Sequence, residues 1–282
     1  MVNLGAAGDR DYDLPESIRA ATTLVEIDGG GAGRSRSQYF AKHSLKDIVA
    51  GTPGPRTFTQ REYGACSSLL PPKPGLVEMY GLERYYNPVA TTTVECKTLP
   101  TLLQDFGIAA IDFLKTDLEG LDFEVLQSCE SLLPRIAAIQ CELRLQPFYE
   151  GESYFHEAAA YLTERGFELV ALKPEFWKPK TTRNRNHKDG RTVWADCLFL
   201  RATGMTLLDY AKQIVILSMI GRRGYAEHVL ESNRDALPAE WIGELESLVK
   251  PRRTLRETAI WKVLRRIRNA LSSFDLSHIA ER

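Results

Sequence analysis

Ile111-Asp-Phe-Leu-Lys-Thr-Asp-Leu-Glu-Gly-Leu-Asp-Phe-Glu-Val-Leu126 is the stretch on which the reading of this chain turns. Its first half is an apolar run that stops at Lys115 and Asp117. Its second half has helical spacing, with Leu121, Val125 and Leu126 on one stripe. A buried strand that delivers two carboxylates, Asp117 and Glu119, to its C-terminal end ahead of a glycine turn has the form of an active-site edge. Ligands of open α/β sheets sit outside the carboxyl ends of the strands. The plainer alternative is an ordinary strand–turn–helix whose acids only cap the helix.

Outward from this stretch, strand-like runs recur at 2–4, 22–27, 57–59, 136–141, 167–172 and 193–200, beside the one at 111–114. Helical patterns lie between most of them, at 15–20, 37–49, 99–106, 122–132 and 155–165. Strands alternating with helices predict a mostly parallel sheet covered on both faces. The last two strands are joined by a loop without a helix, so an antiparallel hairpin is expected there. The fold class expected is α/β: a Rossmann-like sheet, mostly parallel, closed by a C-terminal antiparallel hairpin. From Met205 onward the pattern turns helical, at 206–221, 240–250 and 254–274. A boundary near Gly204 therefore divides residues 1–203 from a helical C-terminal extension, 204–282.

Bulk properties narrow the functional classes. A 282-residue chain with 44% hydrophobic and 26% charged residues is that of a soluble globular protein, and a net charge of −1 gives no global attraction to nucleic acid or membrane. The five cysteines are scattered without a C-x-x-C pair, which argues against a zinc or disulfide framework and for a reducing cytoplasm. No signal peptide or bilayer-length apolar run is visible. The histidines (His43, His156, His187, His228, His278) lack ligand spacing, so no metal is inferred.

The central segment resembles the FkbM-type methyltransferases. Their signature D-F-L-K-x-D-x-E-G-x-(E/D) is matched by Asp112 to Asp122, and the preceding T-L-x-x-L-L helix by Thr98 to Leu103. Gly64-Ala-Cys-Ser-Ser-Leu69 looks like the family's G-C-S-S-L element. Gln140-Cys-Glu142 looks like its acid-ended strand, and 166–169 with 194–200 like its closing hairpin. The resemblance implies a class I methyltransferase sheet over 1–203, S-adenosylmethionine as methyl donor, and a sugar hydroxyl or related polyol or natural product as acceptor.

Two glycine-rich turns compete to hold the donor. Val2-Asn-Leu-Gly-Ala-Ala-Gly8 is similar to the family's V-D-V-G-A-N-x-G, with Asn3 and Ala7 departing from it. Val25 to Gly33 is similar to the general E-x-G-x-G-x-G, with Asp28 at the first glycine position. Small residues after a strand let backbone amides approach the methionine portion in either case. An acid about twenty residues on is expected to accept the ribose hydroxyls. Spacing from Gly5 reaches Glu26 and Asp28, which favours Gly5, Ala6, Ala7 and Gly8 as the donor loop, with Glu26 as the ribose acid.

Methyl transfer from a sulfonium to oxygen needs alignment above all, about 7–11 kcal/mol of it. A positioned base adds about 10²–10⁴-fold. Asp117 and Glu119 are the candidate catalytic carboxylates. Lys115 and Glu142 are candidates for acceptor binding, and Ser67 and Ser68 for donor contacts or a turn cap.

Two basic segments stand apart. The loop 178–191 holds six basic residues and one acid, suited to an acidic acceptor or to solvent alone. The tail at 250–274 sets Arg and Lys beside a helical stripe of Ile260, Val263, Leu264, Ile267 and Leu271, a form suited to peripheral contact with an anionic membrane face or to packing on its own domain or a partner subunit. Two competing functions are a catalytically silent, donor-binding partner protein and a nucleotide-binding oxidoreductase. The latter is disfavoured because Gly29 to Gly33 does not spell G-x-G-x-x-G.

Overall fold

The computed structural model describes residues 1–5, 16–28, 39–183 and 189–250. The central sheet is built from β1 (Val2–Leu4), β2 (Thr23–Ile27), β3 (Ala41–Leu45), β7 (Phe113–Thr116), β8 (Ala138–Arg144), β9 (Phe167–Trp177) and β10 (Arg191–Arg201), in the order β3-β2-β1-β7-β8-β10-β9. The first five strands run parallel; β10 is antiparallel to both β8 and β9. This is the α/β sheet with a closing hairpin that the strand–helix alternation implied. A second sheet, β4 (Ile48–Val49), β5 (Gly54–Arg61) and β6 (Pro88–Lys97), has the order β4-β6-β5.

Two expectations are corrected here. The segment 37–49, read as a helix, carries the strands β3 and β4 in its described part. The i, i+4 pair Leu45 and Val49 mimicked a helical stripe, but Ala41–Leu45 pairs along the whole of β2, and that long-range ladder overrides local propensity. The run 57–59, read as a member of the parallel sheet, belongs to β5 and pairs antiparallel with β6. The parallel part of the sheet takes β3 in place of 57–59.

One face of the central sheet is apolar along its length. Val2, Leu4, Val25, Ile27, Leu114, Ile139 and Cys141 pack there under α4 (Leu99–Asp105), α5 (Asp122–Ser128) and α6 (Phe155–Glu164). Thr98 caps α4, accepting a hydrogen bond from the Thr101 N–H, with Pro100 in the first turn where its missing donor costs nothing. The opposite face is apolar only at the N-terminal end of the strands. Phe113, Ala138, Leu198 and Leu200 there meet α7 (Leu207–Met219), α8 (Arg223–Asn233) and α9 (Ala239–Val249) through Ile214, Leu217, Leu230 and Leu245. Buried Gln213 ties α7 to the sheet by donating to the carbonyls of Ala137 and Arg201. Strand alternation places Asn3, Glu26, Lys115 and Glu142 farther along this same face. The sheet is thus apolar beneath α7–α9 and polar at the carboxyl ends of its strands.

Three short α-helices, α1 (Glu16–Arg19), α2 (Pro74–Tyr80) and α3 (Glu83–Tyr86), and two 3-10 turns, Gly64–Cys66 and Leu133–Arg135, complete the described elements. No helix among the described residues is long and apolar enough to cross a membrane. The expected helix at 254–274, and with it the suggested membrane contact, lies outside the described residues.

Candidate active site

From β1 the chain proceeds to β2 and β3 on one side, and β7 and β8 lie on the other. The strand order therefore reverses between β1 and β7, and a crevice at such a reversal is where doubly wound sheets bind their ligands. Gly5 ends β1 and Asp117 ends β7. Gly5 has φ +69°, and a Cβ built on it would collide with the Asp117 carbonyl oxygen, so only glycine fits without displacing β7. The Gly5 N–H donates to the Ile27 carbonyl at 3.0 Å, closing the turn against the end of β2. Ala6, Ala7 and Gly8 lie outside the described residues, as does the competing turn at Gly29–Gly33.

Beyond β7 the backbone makes a tight left-handed turn. Glu119 has φ +48° and Gly120 φ +99°. A non-glycine residue in this region is uncommon and is retained where its surroundings hold it. Three contacts hold Glu119. Its carbonyl accepts from Ser68 Oγ at 2.8 Å, and its carboxylate accepts from Arg144 at 3.0 Å and from the Tyr149 hydroxyl at 2.7 Å. A side chain at Gly120 would press on Tyr149, Glu152 and Leu70. Asp122 opens α5 and accepts from the Leu118 N–H at 3.1 Å, and its burial pushes the carboxyl up to about 7.

Arg144, at the end of β8, is the hub of the site. Its guanidinium is buried and bridges Glu142 at 2.7 Å, Glu119 at 3.0 Å and Glu152 at 3.0 Å. The rings of Tyr149 and Trp194 lie 5.7 and 5.9 Å from its Cζ. Glu152 also accepts from the N–H groups of Phe148 and Tyr149, which folds the loop after β8 back over the guanidinium. One cation serving three acids leaves the cluster short of positive charge. Burial accordingly raises the carboxyls of Glu119 and Glu152 and lifts Glu142 well above the carboxylate range, against the pull of Arg144.

Asp117, Glu119 and Glu142 each bring a carboxylate oxygen within 4.8 Å of the others. They differ in access. The Asp117 side chain is 37% exposed and pairs with Lys115 Nζ at 3.2 Å, whereas the Glu142 side chain is 10% exposed. Lys115 is itself buried beneath Asp117. The structure therefore gathers Asp117, Glu119, Glu142 and Lys115 at one strand edge, with Asp117 facing outward and the others held by partners. Glu26, the acid expected to accept the ribose hydroxyls, is almost wholly buried and ion-paired with Lys42 at 2.7 Å, so Asp28 is the more open of the two acids. Asp28 lies just past the end of β2, half-buried, its N–H donating to the Leu45 carbonyl.

Ser67 and Ser68 act as turn and strap residues. Ser67 Oγ accepts from the Arg61 N–H, and Ser68 Oγ from the Leu70 N–H. Sequence reading missed Arg144, Tyr149 and Glu152. Arg144 was legible in one respect, because it follows Glu142 by two on the same strand and so shares its face. Tyr149 and Glu152 carry no such signal: they sit on a loop that only the fold brings back to β7.

No curated protein and no solved structure gives a match. Residues 34–169 match the family model described as Methyltransferase FkbM domain, a span that takes in the strand β7, the left-handed turn at Glu119 and the acid-ended strand β8. Over those residues, just under half of the chain, the protein is similar to the FkbM methyltransferase domain.

Proposed function

We propose that this chain is an S-adenosylmethionine-dependent O-methyltransferase acting on a hydroxyl of a sugar or related polyol. The observation that carries the proposal is the contact between the Gly5 turn and the Asp117 strand end at the point where the sheet order reverses. The residues fit the donor: Gly5 lets the end of β1 turn tightly against β7, and Asp28 stands at the end of β2, where a ribose acid belongs. In this reading Gly5, with Ala6, Ala7 and Gly8, holds the methionine end. Asp28 receives the ribose hydroxyls, and buried Glu26, braced by Lys42, supports the strand beneath it. When bound, S-adenosylmethionine supplies an electrophilic methyl group on a sulfonium.

The protein's own part is orientation and proton handling. Asp117 is the accessible carboxylate of the cluster and is steadied by Lys115, so it takes the proton from the acceptor hydroxyl. Glu119 and Glu142, locked by Arg144, form a rigid acidic floor that accepts hydrogen bonds from neighbouring hydroxyls of the same acceptor. Trp194 and Tyr149 back that floor. Rigid placement of this kind is the larger share of the rate, and proton removal the smaller.

Calorimetric titration with S-adenosylhomocysteine, paired with transfer of a labelled methyl group to a panel of sugars and polyols, tests the assignment. Saturable 1:1 binding and label in a sugar ether support it. Absence of binding by folded protein overturns it.

A further inference from the structure

We infer that the cavity between the α7–α8 turn and the strands β9 and β10 is a second subsite for the acceptor, one that receives an anionic group joined to an apolar chain. The inference rests on the methyl-transfer reading above and adds the chemistry of the acceptor to it. The cavity measures about 350 Å³, a size in the range of small-molecule sites. Val170, Ala171, Leu198 and Leu217 form its apolar part, and Arg222 and Arg223 its basic part. Among the described residues, no acidic side chain lines it.

The register of the sheet sets this cavity beside the acids of the active site. Leu198 lies opposite Gln140 on one side and Ala171 on the other, and two residues back Asp196 lies between Glu142 and Lys173. Residues directly opposite share a face, and so do residues two apart on one strand. Leu198 is therefore on the face that carries Glu142, one strand across and two residues along, on the order of 8 Å between backbones. The helix α7 leads to the same place. Gln213 ties it to the carbonyls of Ala137 and Arg201, and Leu217, one turn on, joins Leu198 in one apolar cluster. The turn after it carries Arg222 and Arg223, at the border where the apolar floor gives way to the polar row. The intervening acid, Asp196, already has its cation in Lys173 at 3.4 Å.

Two arginines beside an apolar floor suit a ligand that is charged at one point and apolar over the rest. A guanidinium forms paired hydrogen bonds to a phosphate or carboxylate. A bare anion would leave the leucine floor facing water, and a neutral polyol set against that floor would lose hydrogen bonds. The ligand that uses both halves is a phosphate or carboxylate carried on an alkyl chain. With the sugar over Asp117 and Glu142, this group is a substituent of the acceptor. The acceptor is then a sugar joined to an amphipathic anion, and not a free sugar.

Calorimetric titration of the full chain with octyl phosphate and with nonanoate tests the inference, the tighter of the two naming the anion. Saturable single-site binding is expected, at least about 10-fold tighter than that of inorganic phosphate or octyl glucoside, because each of these engages only half of the cavity. Arg222→Glu should weaken it by about 10-fold or more, the worth of hydrogen bonds to a charged group. Gly224→Glu is the second variant: a side chain there meets no atom within 4 Å, so the protein folds and an acid stands at the rim. In the methyl-transfer assay the bound anion should compete with the acceptor and not with the donor. Absence of binding by folded wild type overturns the inference, as does equal affinity for inorganic phosphate or octyl glucoside, unchanged affinity in either variant, or lack of competition with the acceptor. Loss of anion binding with S-adenosylhomocysteine binding intact removes the subsite alone. Anion binding without S-adenosylhomocysteine binding removes the methyl-transfer reading.

Discussion

The left-handed turn at Gly5 sits directly against the carbonyl of Asp117, so the glycine turn at the end of β1 and the acid at the end of β7 are built as one contact. A methyl group added at Gly5 meets both a backbone conformation that side chains resist and an atom it cannot share space with. Gly5→Ala is therefore expected to lower stability by at least about 1–2 kcal/mol and to weaken S-adenosylhomocysteine binding at the same time. Thermal melts and calorimetry read the two effects. A variant of normal stability and affinity would show that β1 and β7 are not in contact.

Asp117→Asn should behave differently. The side chain is partly exposed and pairs with Lys115, so folding and donor affinity should change little. Turnover should fall by about 10²–10⁴-fold, the usual contribution of a positioned base. Single-turnover kinetics beside a donor titration checks this. Equal loss of affinity and rate would make Asp117 a structural residue.

Arg144→Met strands three buried acids without their cation. Removing one partner of a buried ion pair costs about 3–5 kcal/mol, and urea unfolding should report a loss of that order. Adding Glu119→Gln should recover part of it, because one of the acids is then neutral. If the single variant loses less than about 1 kcal/mol, the cluster is solvated and the rigid floor proposed for the acceptor does not exist.

Asp122 makes stability depend on pH in a direction opposite to that of a salt-bridged acid. Burial holds its carboxyl at about 7 in the folded protein, against an ordinary 3.8. The folded state keeps the proton that the unfolded chain has released. This contribution to stability is complete below about pH 3.8 and is lost as pH rises through about 7. Asp122→Asn does not ionise and can still accept from the Leu118 N–H. Its stability relative to wild type should improve between pH 5 and 8, by at most about 1.4 kcal/mol per pH unit. Parallel wild-type and variant curves across that range would contradict the buried acid.

The parallel strands and the Lys115–Gly120 turn were legible because burial on both faces writes continuous apolar runs, and a strand that ends in acids before glycine is a local pattern. The strand β3 was not legible. Its Lys42 and His43 lack a strand's alternation, and only pairing with β2 and the ion pair from Lys42 to Glu26 make it extended. The helix α8 was missed for a related reason: few of its residues are buried, chiefly Ala226, Val229 and Leu230, too few to write a stripe.

The sequence alone determined the sheet class, the closing hairpin and the acids at the end of β7, since each depends on residues close together in the chain. Tertiary structure alone decided what those acids can do. Arg144 and Tyr149 reach Glu119 across 25 and 30 residues, and that distant pairing leaves Asp117 as the outward-facing carboxylate. Electrostatics inside a protein depend on which charges are brought together and how far water is excluded, and neither is written in the order of the residues.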